Sequence, residues 1–126
     1  MRAARMRWAA VWLGALIGSS AGAVDLARLD YQLKPRQIAP ATWVIEGAVD
    51  DFSRANGCNI INTAMVSTTA GTLVINTGPS RLYGEQQRAA LSRLTSQPMK
   101  KVVSLNLHPD YFLGNQAWGD APTAAL

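Results

Sequence analysis

A strand, a tight turn, a helix and a second strand follow one another between Thr72 and Leu107, and that order restricts the chain to a sheet with at least one parallel pair. Thr72 to Ile75 (TLVI) is a β-rich run whose Leu-Val-Ile core reads as buried on both faces, and Asn76-Thr77-Gly78-Pro79-Ser80 ends it. Ser80 is a good N-cap, and the spacing predicts a helix from there to about Thr95. Tyr83, Ala90, Leu91 and Leu94 fall on its inner face, with Glu85 paired to Arg88 on the solvent side. Pro98 breaks the chain, and Val102 to Leu107 (VVSLNL) reads as the strand reached by the crossover.

Upstream, Thr42 to Glu46 (TWVIE) reads as a short strand closed by Gly47. Asn56-Gly57 is a strong turn dipeptide, and a strand is expected to begin directly after it. Cys58 to Thr68 then forms a hairpin with Thr72 to Ile75 around Ala70-Gly71. Residues 24–41 read as an amino-terminal arm with one edge strand near Tyr31 to Leu33, because Pro35 and Pro40 suit an edge. The expected order is β-β-β-α-β followed by a loop, in the α/β (α+β) class, without internal repeats.

Arg2, Arg5 and Arg7, the apolar stretch Trp8 to Gly18 and the small residues ending in Ala21-Gly22-Ala23 have the form of a signal peptide over residues 1–23. The apolar stretch is shorter than the ~20 residues a spanning helix needs. The expectation is cleavage after Ala23, an exported, periplasmic location and no membrane anchor afterwards. The net charge of +4 resides mainly in that head: apart from those three, the Lys and Arg residues nearly balance the 8 Asp and Glu. No clustered cationic face remains for phosphates, which excludes nucleic acid as a partner. Cys58 is the single cysteine, so no internal disulfide is available, and it reads as a small buried hydrophobe on a strand.

His108, the only histidine, follows the Val102 to Leu107 strand together with Asp110. Open α/β sheets place their sites beyond the carboxyl ends of strands. If the segment stays extended, Asn106, His108 and Asp110 project to one side, and a helix from about Tyr111 brings a fourth side chain round. On spacing alone, a hydrogen-bonded structural histidine and a ligand are both open.

The run VVSLNLHPDYFLGNQAW resembles the THxHxDHxxGN signature of the metallo-β-lactamase superfamily, and VINTGPSRLYGE resembles its upstream IDTG segment. The Pro of HPD, the following Gly-Asn and the exported context are most similar to the quinoprotein relay system zinc metallohydrolases. The resemblance implies the amino-terminal half of an αββα sandwich, with residues 42–126 a partial domain and the chain a fragment or truncated frame. It also implies zinc, with Asn106, His108, Asp110 and Tyr111 at the four ligand positions, Asp110 in the catalytic role, and Asn76 where a supporting carboxylate stands. Two of those four residues are changed from histidine, and an amide and a phenol are poor zinc donors, so tight zinc binding is not expected. Another metal taking oxygen donors from Asn106 and Asp110 beside His108 would need further ligands.

Three readings follow. One is an exported metallohydrolase-like protein that, when complete, attacks an unknown small-molecule substrate with metal-activated water. A second is a non-catalytic, degenerate relative with an accessory or binding role, suggested by the resemblance to lie beside a periplasmic quinoprotein dehydrogenase. The third is a small secreted β-rich binding module with a coincidental HPD loop. Tyr111, Phe112 and Trp118 suit either a pocket wall or the core, and the core is the commoner place for such aromatics.

Overall fold

The structure, a computed structural model, describes residues 22–126. The expected signal segment therefore lies outside the described residues except for its last two positions. Six strands form one sheet in the order of the chain: β1 (Arg36–Ala39), β2 (Thr42–Ile45), β3 (Thr63–Thr68), β4 (Gly71–Ile75), β5 (Met99–Ser104) and β6 (Thr123–Ala125). The first four run antiparallel to one another, and β4, β5 and β6 are parallel. Helix α1 (Arg81–Leu91) makes the crossover from β4 to β5, as the strand–helix–strand order requires. Helix α2 (Pro109–Phe112) and a 3-10 helix (Leu113–Trp118) connect β5 to β6.

The β3–β4 hairpin forms where the sequence places it. Thr68 Oγ1 donates to the Gly71 carbonyl (2.8 Å) and accepts from Ala70 N (3.2 Å), closing the reversal. Ser80 caps α1 by accepting from Tyr83 N at 3.0 Å. The helix stops at Leu91, short of Thr95, because the Thr95 hydroxyl bonds Ser67 Oγ on β3 (2.8 Å) and accepts from Gln97 N, drawing the chain to the sheet. Leu94 is consequently exposed, and the inner face of α1 is Tyr83, Gly84, Gln87 and Leu91. Glu85 pairs with Arg81 at 2.7 Å, and Arg88 instead forks onto both carboxylate oxygens of Asp120 and the Ala117 carbonyl.

Three strand expectations are corrected. No strand occupies Tyr31 to Leu33: Gln32 adopts φ +50°, with its N–H bonded to Asp30 Oδ1. The Gln86 amide holds this bend by accepting from Tyr31 N and donating to the Leu29 carbonyl, and the edge strand is β1 instead. Nor does a strand begin at Cys58. Asn56 Oδ1 accepts from both Ser53 N and Cys58 N, so the turn continues with Gly57 and Cys58 left-handed, and β3 starts at Thr63. Cys58 is thus a half-buried turn residue rather than a buried strand residue. The strand β5 ends at Ser104, three residues earlier than expected, and β6 was not anticipated.

The sheet has two unequal faces. Ile45, Met65, Val74 and Val102 join Leu91 of α1 and Trp118 and Ala121 beyond α2 in one buried cluster. The alternate residues Val44, Ala64, Val66, Leu73, Ile75 and Val103 share the other face and are half-buried, so Leu73 and Ile75 do not have the complete cover expected. On the covered side, α1 and the 3-10 helix meet at glycines: a Cβ at Gly84 would lie 2.4 Å from the Gly114 carbonyl oxygen, and one at Gly114 would lie 1.9 Å from the Thr77 carbonyl oxygen. Backbone cannot yield as a side chain does. Gly114→Ala is expected to cost about 1–3 kcal/mol or more in urea unfolding, whereas Gly119→Ala, whose Cβ would meet nothing nearer than 3.8 Å, costs little.

Candidate functional site

The carboxyl ends of β4 and β5 are fastened together by one side chain. Asn76 follows β4 in the left-handed region (φ +58°), which asparagine tolerates better than most residues. Its backbone N–H donates to the Val103 carbonyl (2.8 Å), and its Oδ1 accepts from Leu105 N (3.0 Å), just past the end of β5. Its Nδ2 donates to the Asn62 carbonyl (3.1 Å) before β3, while its own carbonyl accepts from Gln87 Nε2 (2.9 Å). Gln87, fully buried, also accepts from Trp118 Nε1 at 3.2 Å. A buried polar line therefore joins Trp118, Gln87, Asn76 and the start of the loop after β5.

The next residues dock onto the helical segment. Thr77 N–H donates to the Tyr111 carbonyl (2.9 Å), Thr77 Oγ1 to Asn115 Oδ1 (2.6 Å), and Gly114 N–H to the Gly78 carbonyl (3.1 Å). The two sequence segments singled out above thus lie side by side. Gln87 and Thr77 were not among the residues singled out; a polar residue at the spacing of Tyr83, Gln87 and Leu91 on an apolar helix face was the available signal for Gln87.

The predicted ligand positions arrange differently from the extended picture. Residues 105–108 form the loop, and α2 begins at Pro109, so Asp110 lies within a helical turn and does not continue an alternation with Asn106 and His108. Asn106 Oδ1 accepts from His108 N (2.9 Å), a local turn that commits the amide oxygen. His108 stands exposed at the N-cap position, without a side-chain capping bond and edge-on to Tyr111 with ring centroids 6.5 Å apart. Asp110 is 4% exposed, and its Oδ1 has no hydrogen-bond partner. Tyr111, half-buried, lines a groove of about 550 Å³ with Asn62, Asn76, Leu105 and the Gly47 to Asp50 loop. Phe112 borders a separate cavity of about 170 Å³, and Trp118 is wholly in the core.

This donor set does not fit the zinc that the resemblance implies. Among the described residues no three His, Cys, Asp or Glu side chains gather as a group that could hold a metal. The unpartnered Asp110 oxygen is the one ligand-like feature, and two strong donors are fewer than the three or four zinc requires. Electrostatics beside the site are structural. Burial pushes the Tyr83 hydroxyl up to about 12, against the hydrogen bond from or to Thr63 Oγ1 (3.1 Å). Hydrogen bonding to Arg88 holds the Asp120 carboxyl below the usual range, and the Arg88 guanidinium lies 5.4 Å over the Trp118 ring.

No family model matches the chain, and no curated protein matches it in sequence. Its fold is similar to that of a metallo-β-lactamase from Pontibacter korlensis, at 21% identity and a TM-score of 0.60, covering 75% of this chain and 43% of that one. A metallo-β-lactamase from Hirschia baltica aligns at 12% identity and a TM-score of 0.59, covering 74% and 42%. One from Erythrobacter litoralis, solved with β-mercaptoethanol in its active site, aligns at 22% and 0.57, covering 72% and 40%. The architecture is that of part of the metallo-β-lactamase fold, and the chain spans less than half the length of these structures.

Two outcomes are expected from this geometry. Asn76→Asp replaces the Nδ2 donor by an oxygen facing the Asn62 carbonyl, and should lower stability at neutral pH by roughly 1–3 kcal/mol in chemical denaturation. Tyr83 keeps its proton to about pH 12 when folded, whereas an unfolded tyrosine releases it near 10. The folded state binds more protons between those values, so this contribution is intact below pH 10 and is lost as pH rises toward 12. Alkaline unfolding curves of the native chain should fall more steeply in that window than those of Tyr83→Phe.

Proposed function

We propose that this chain is the amino-terminal part of an exported metallo-β-lactamase-fold protein that retains the loop architecture and has lost its zinc chemistry, acting as a non-catalytic binding or accessory relative. The observation that carries this reading is the use of Asn106: its Oδ1 is committed to His108 N, so the loop closes on itself where a first metal ligand is expected. The altered Tyr111 position supports the same reading, because its backbone carbonyl anchors Thr77 while its phenol, a poor zinc donor, lines the groove. In this role His108 and the groove beside Tyr111 are the accessible recognition features, and Asn76 and Thr77 hold them in place. The arginine head and small-residue end of residues 1–23 support export, and the quinoprotein-relay resemblance suggests a periplasmic quinoprotein dehydrogenase as the associated system.

One observation favours the hydrolase reading. Asp110 is a buried carboxylate with an oxygen that nothing in the described residues satisfies, and a cation held together with His108 and further donors would satisfy it. In that case His108 and Asp110 would be the ligands from this chain, and the metal would supply an activated water.

Metal content separates the two. The protein recovered from the periplasm, with an intact mass beginning at Val24, is expected to carry no stoichiometric zinc by elemental analysis and to give a flat calorimetric titration with zinc. Asn106→His with Tyr111→His should produce measurable zinc binding, since the hydrogen bonds from Leu105 and to the Tyr111 carbonyl are made by backbone and survive both substitutions. One equivalent of zinc bound by the native chain would overturn the non-catalytic reading in favour of the hydrolase. An unchanged flat titration in the double variant would show that the loop no longer holds ligand geometry at all.

A further inference from the structure

Asn56-Gly57 is a turn dipeptide with no part in the loop that carries His108 and Asp110. An asparagine before glycine is chemically labile, because glycine has no side chain to shield its amide nitrogen or restrict its backbone. The Gly57 nitrogen gives its proton to hydroxide and attacks Asn56 Cγ. An N–Cγ bond forms, the Cγ–Nδ2 bond breaks, and Nδ2 departs as ammonia with a proton from water. Water then opens the succinimide at either carbonyl, leaving aspartate or isoaspartate, and nothing is oxidised or reduced.

In the folded chain the groups that must move are held. The peptide unit joining the two residues is tied at both ends: the Asn56 carbonyl accepts from Asn59 N (3.0 Å), and Gly57 N–H donates to the Arg54 carbonyl (3.4 Å). The departing nitrogen, Nδ2, donates to the Asp51 carbonyl at 2.8 Å, while Oδ1 accepts from Ser53 N (3.1 Å) and Cys58 N (2.9 Å). Those two N–H groups would also stabilise an oxyanion on Cγ, so the nest alone is no protection. The nucleophile decides, because turning the Gly57 nitrogen onto Cγ rotates the peptide unit and breaks both of its bonds. The amino-terminal arm opposes that rotation. Tyr31 Oη donates to the Gly57 carbonyl (3.2 Å) and is hydrogen-bonded to Ser80 Oγ (3.0 Å) at the start of α1. Gly57 is buried beneath the arm: a Cβ there would collide with Leu29 Cδ2 and lie 2.8 Å from Tyr31 Cε1.

We propose that Asn56 is a deamidation site gated by the amino-terminal arm, spared while Leu29 and Tyr31 lie on Gly57 and converted when they lift. The effect reaches the groove beside Tyr111. Asn59, which the Asn56 carbonyl holds, accepts through its own carbonyl from Ala48 N (2.9 Å) in the groove wall. Isoaspartate reroutes the backbone through the former side chain and displaces the acceptor that Ser53 N and Cys58 N share, so the wall loosens irreversibly. Aspartate sets an oxygen against the Asp51 carbonyl in place of a donor.

The test is peptide mapping by mass spectrometry of the purified chain kept at mildly alkaline pH, in native buffer and in concentrated urea. The tryptic peptide from Ala55 to Arg81 carries Asn56, Asn59, Asn62 and Asn76, which fragment ions separate. In urea, Asn56 is expected to convert fastest of these. In native buffer it should convert at least about tenfold more slowly, since only the open fraction reacts. Tyr31→Phe removes the bond to Gly57 and should raise the native rate by about threefold or more, with the urea rate unchanged. Leu29→Ala, which uncovers Gly57 without removing a hydrogen bond, should act in the same direction even if Tyr31→Phe does not fold. Gly114→Ala, which weakens the fold away from the arm, should leave the native rate unchanged. The Ala48 N–H should exchange with deuterium faster in Asn56→Asp than in the native chain. Equal native and urea rates, no conversion of Asn56 in urea, no response to either arm variant, or an equal rise in Gly114→Ala would each overturn the gate. Unchanged Ala48 exchange in Asn56→Asp would overturn its reach to the groove.

Discussion

The carboxamide of Asn76 supplies two bonds that no other single group in the chain could make together. One end accepts from the loop beyond β5, the other donates to the segment entering β3, and the residue itself turns left-handed to let the chain leave β4 for α1. A carboxylate could make the first bond and would oppose the second. An aliphatic residue would leave the part-buried Leu105 N–H and Asn62 carbonyl without these partners, at a cost on the order of 1 kcal/mol for each. The position of every residue in the following loop rests on this fork, because Thr77 continues from it directly to Tyr111 and Asn115. The amide at position 76 therefore has a structural rationale within this chain, independent of any metal.

Packing completes what the fork begins. Gln87 extends from α1 to the Asn76 carbonyl and to the indole of Trp118, so that helix, strand end and the segment after α2 share one buried hydrogen-bonded line. The near contact of Gly84 with Gly114 brings the backbones of α1 and the 3-10 helix together, a distance that side chains would prevent. Arg88 closes the outer side by gripping Asp120 and the Ala117 carbonyl over the Trp118 ring. The result is a rigid seat for α2. What α2 carries, an exposed imidazole at its N-cap and a buried Asp110 side chain with an unpartnered oxygen, is positioned by these neighbours.

Much of the scaffold was legible because its signals are local. The Thr68 to Gly71 hairpin, the Ser80 cap and the parallel crossover depend on residues within a turn of one another, and all three form as read. The errors arise where polar side chains, near or far along the chain, decide the backbone. Gln32 turns left-handed where Gln86, far along the chain, binds Leu29 and Tyr31 just before it, and Cys58 does so because Asn56 nests two N–H groups. Three exposed residues, Thr-Ala-Ala, carry no periodicity, so β6 depends on β5 for its existence and was invisible. At the site, the two motif segments could be picked out in the sequence, whereas the disposition of their side chains could not. Extended alternation through Asp110 assumed that β5 continued to Leu107, and the bonds from Leu105 N to Asn76 and from His108 N to Asn106 divert the chain first.

The strands stand in the sheet in the order in which they occur in the chain, and this has a bearing on how the fold is assembled. No strand must be threaded between two that have already paired, so the sheet grows at one margin only, and each newly emerged segment finds its template in the one just before it. The antiparallel portion needs only short loops to close, and the slower step is the crossover through α1, after which β5 has a finished edge to meet. A polypeptide delivered amino terminus first, whether from a ribosome or through a translocation pore, can therefore fold progressively without waiting for its last residues.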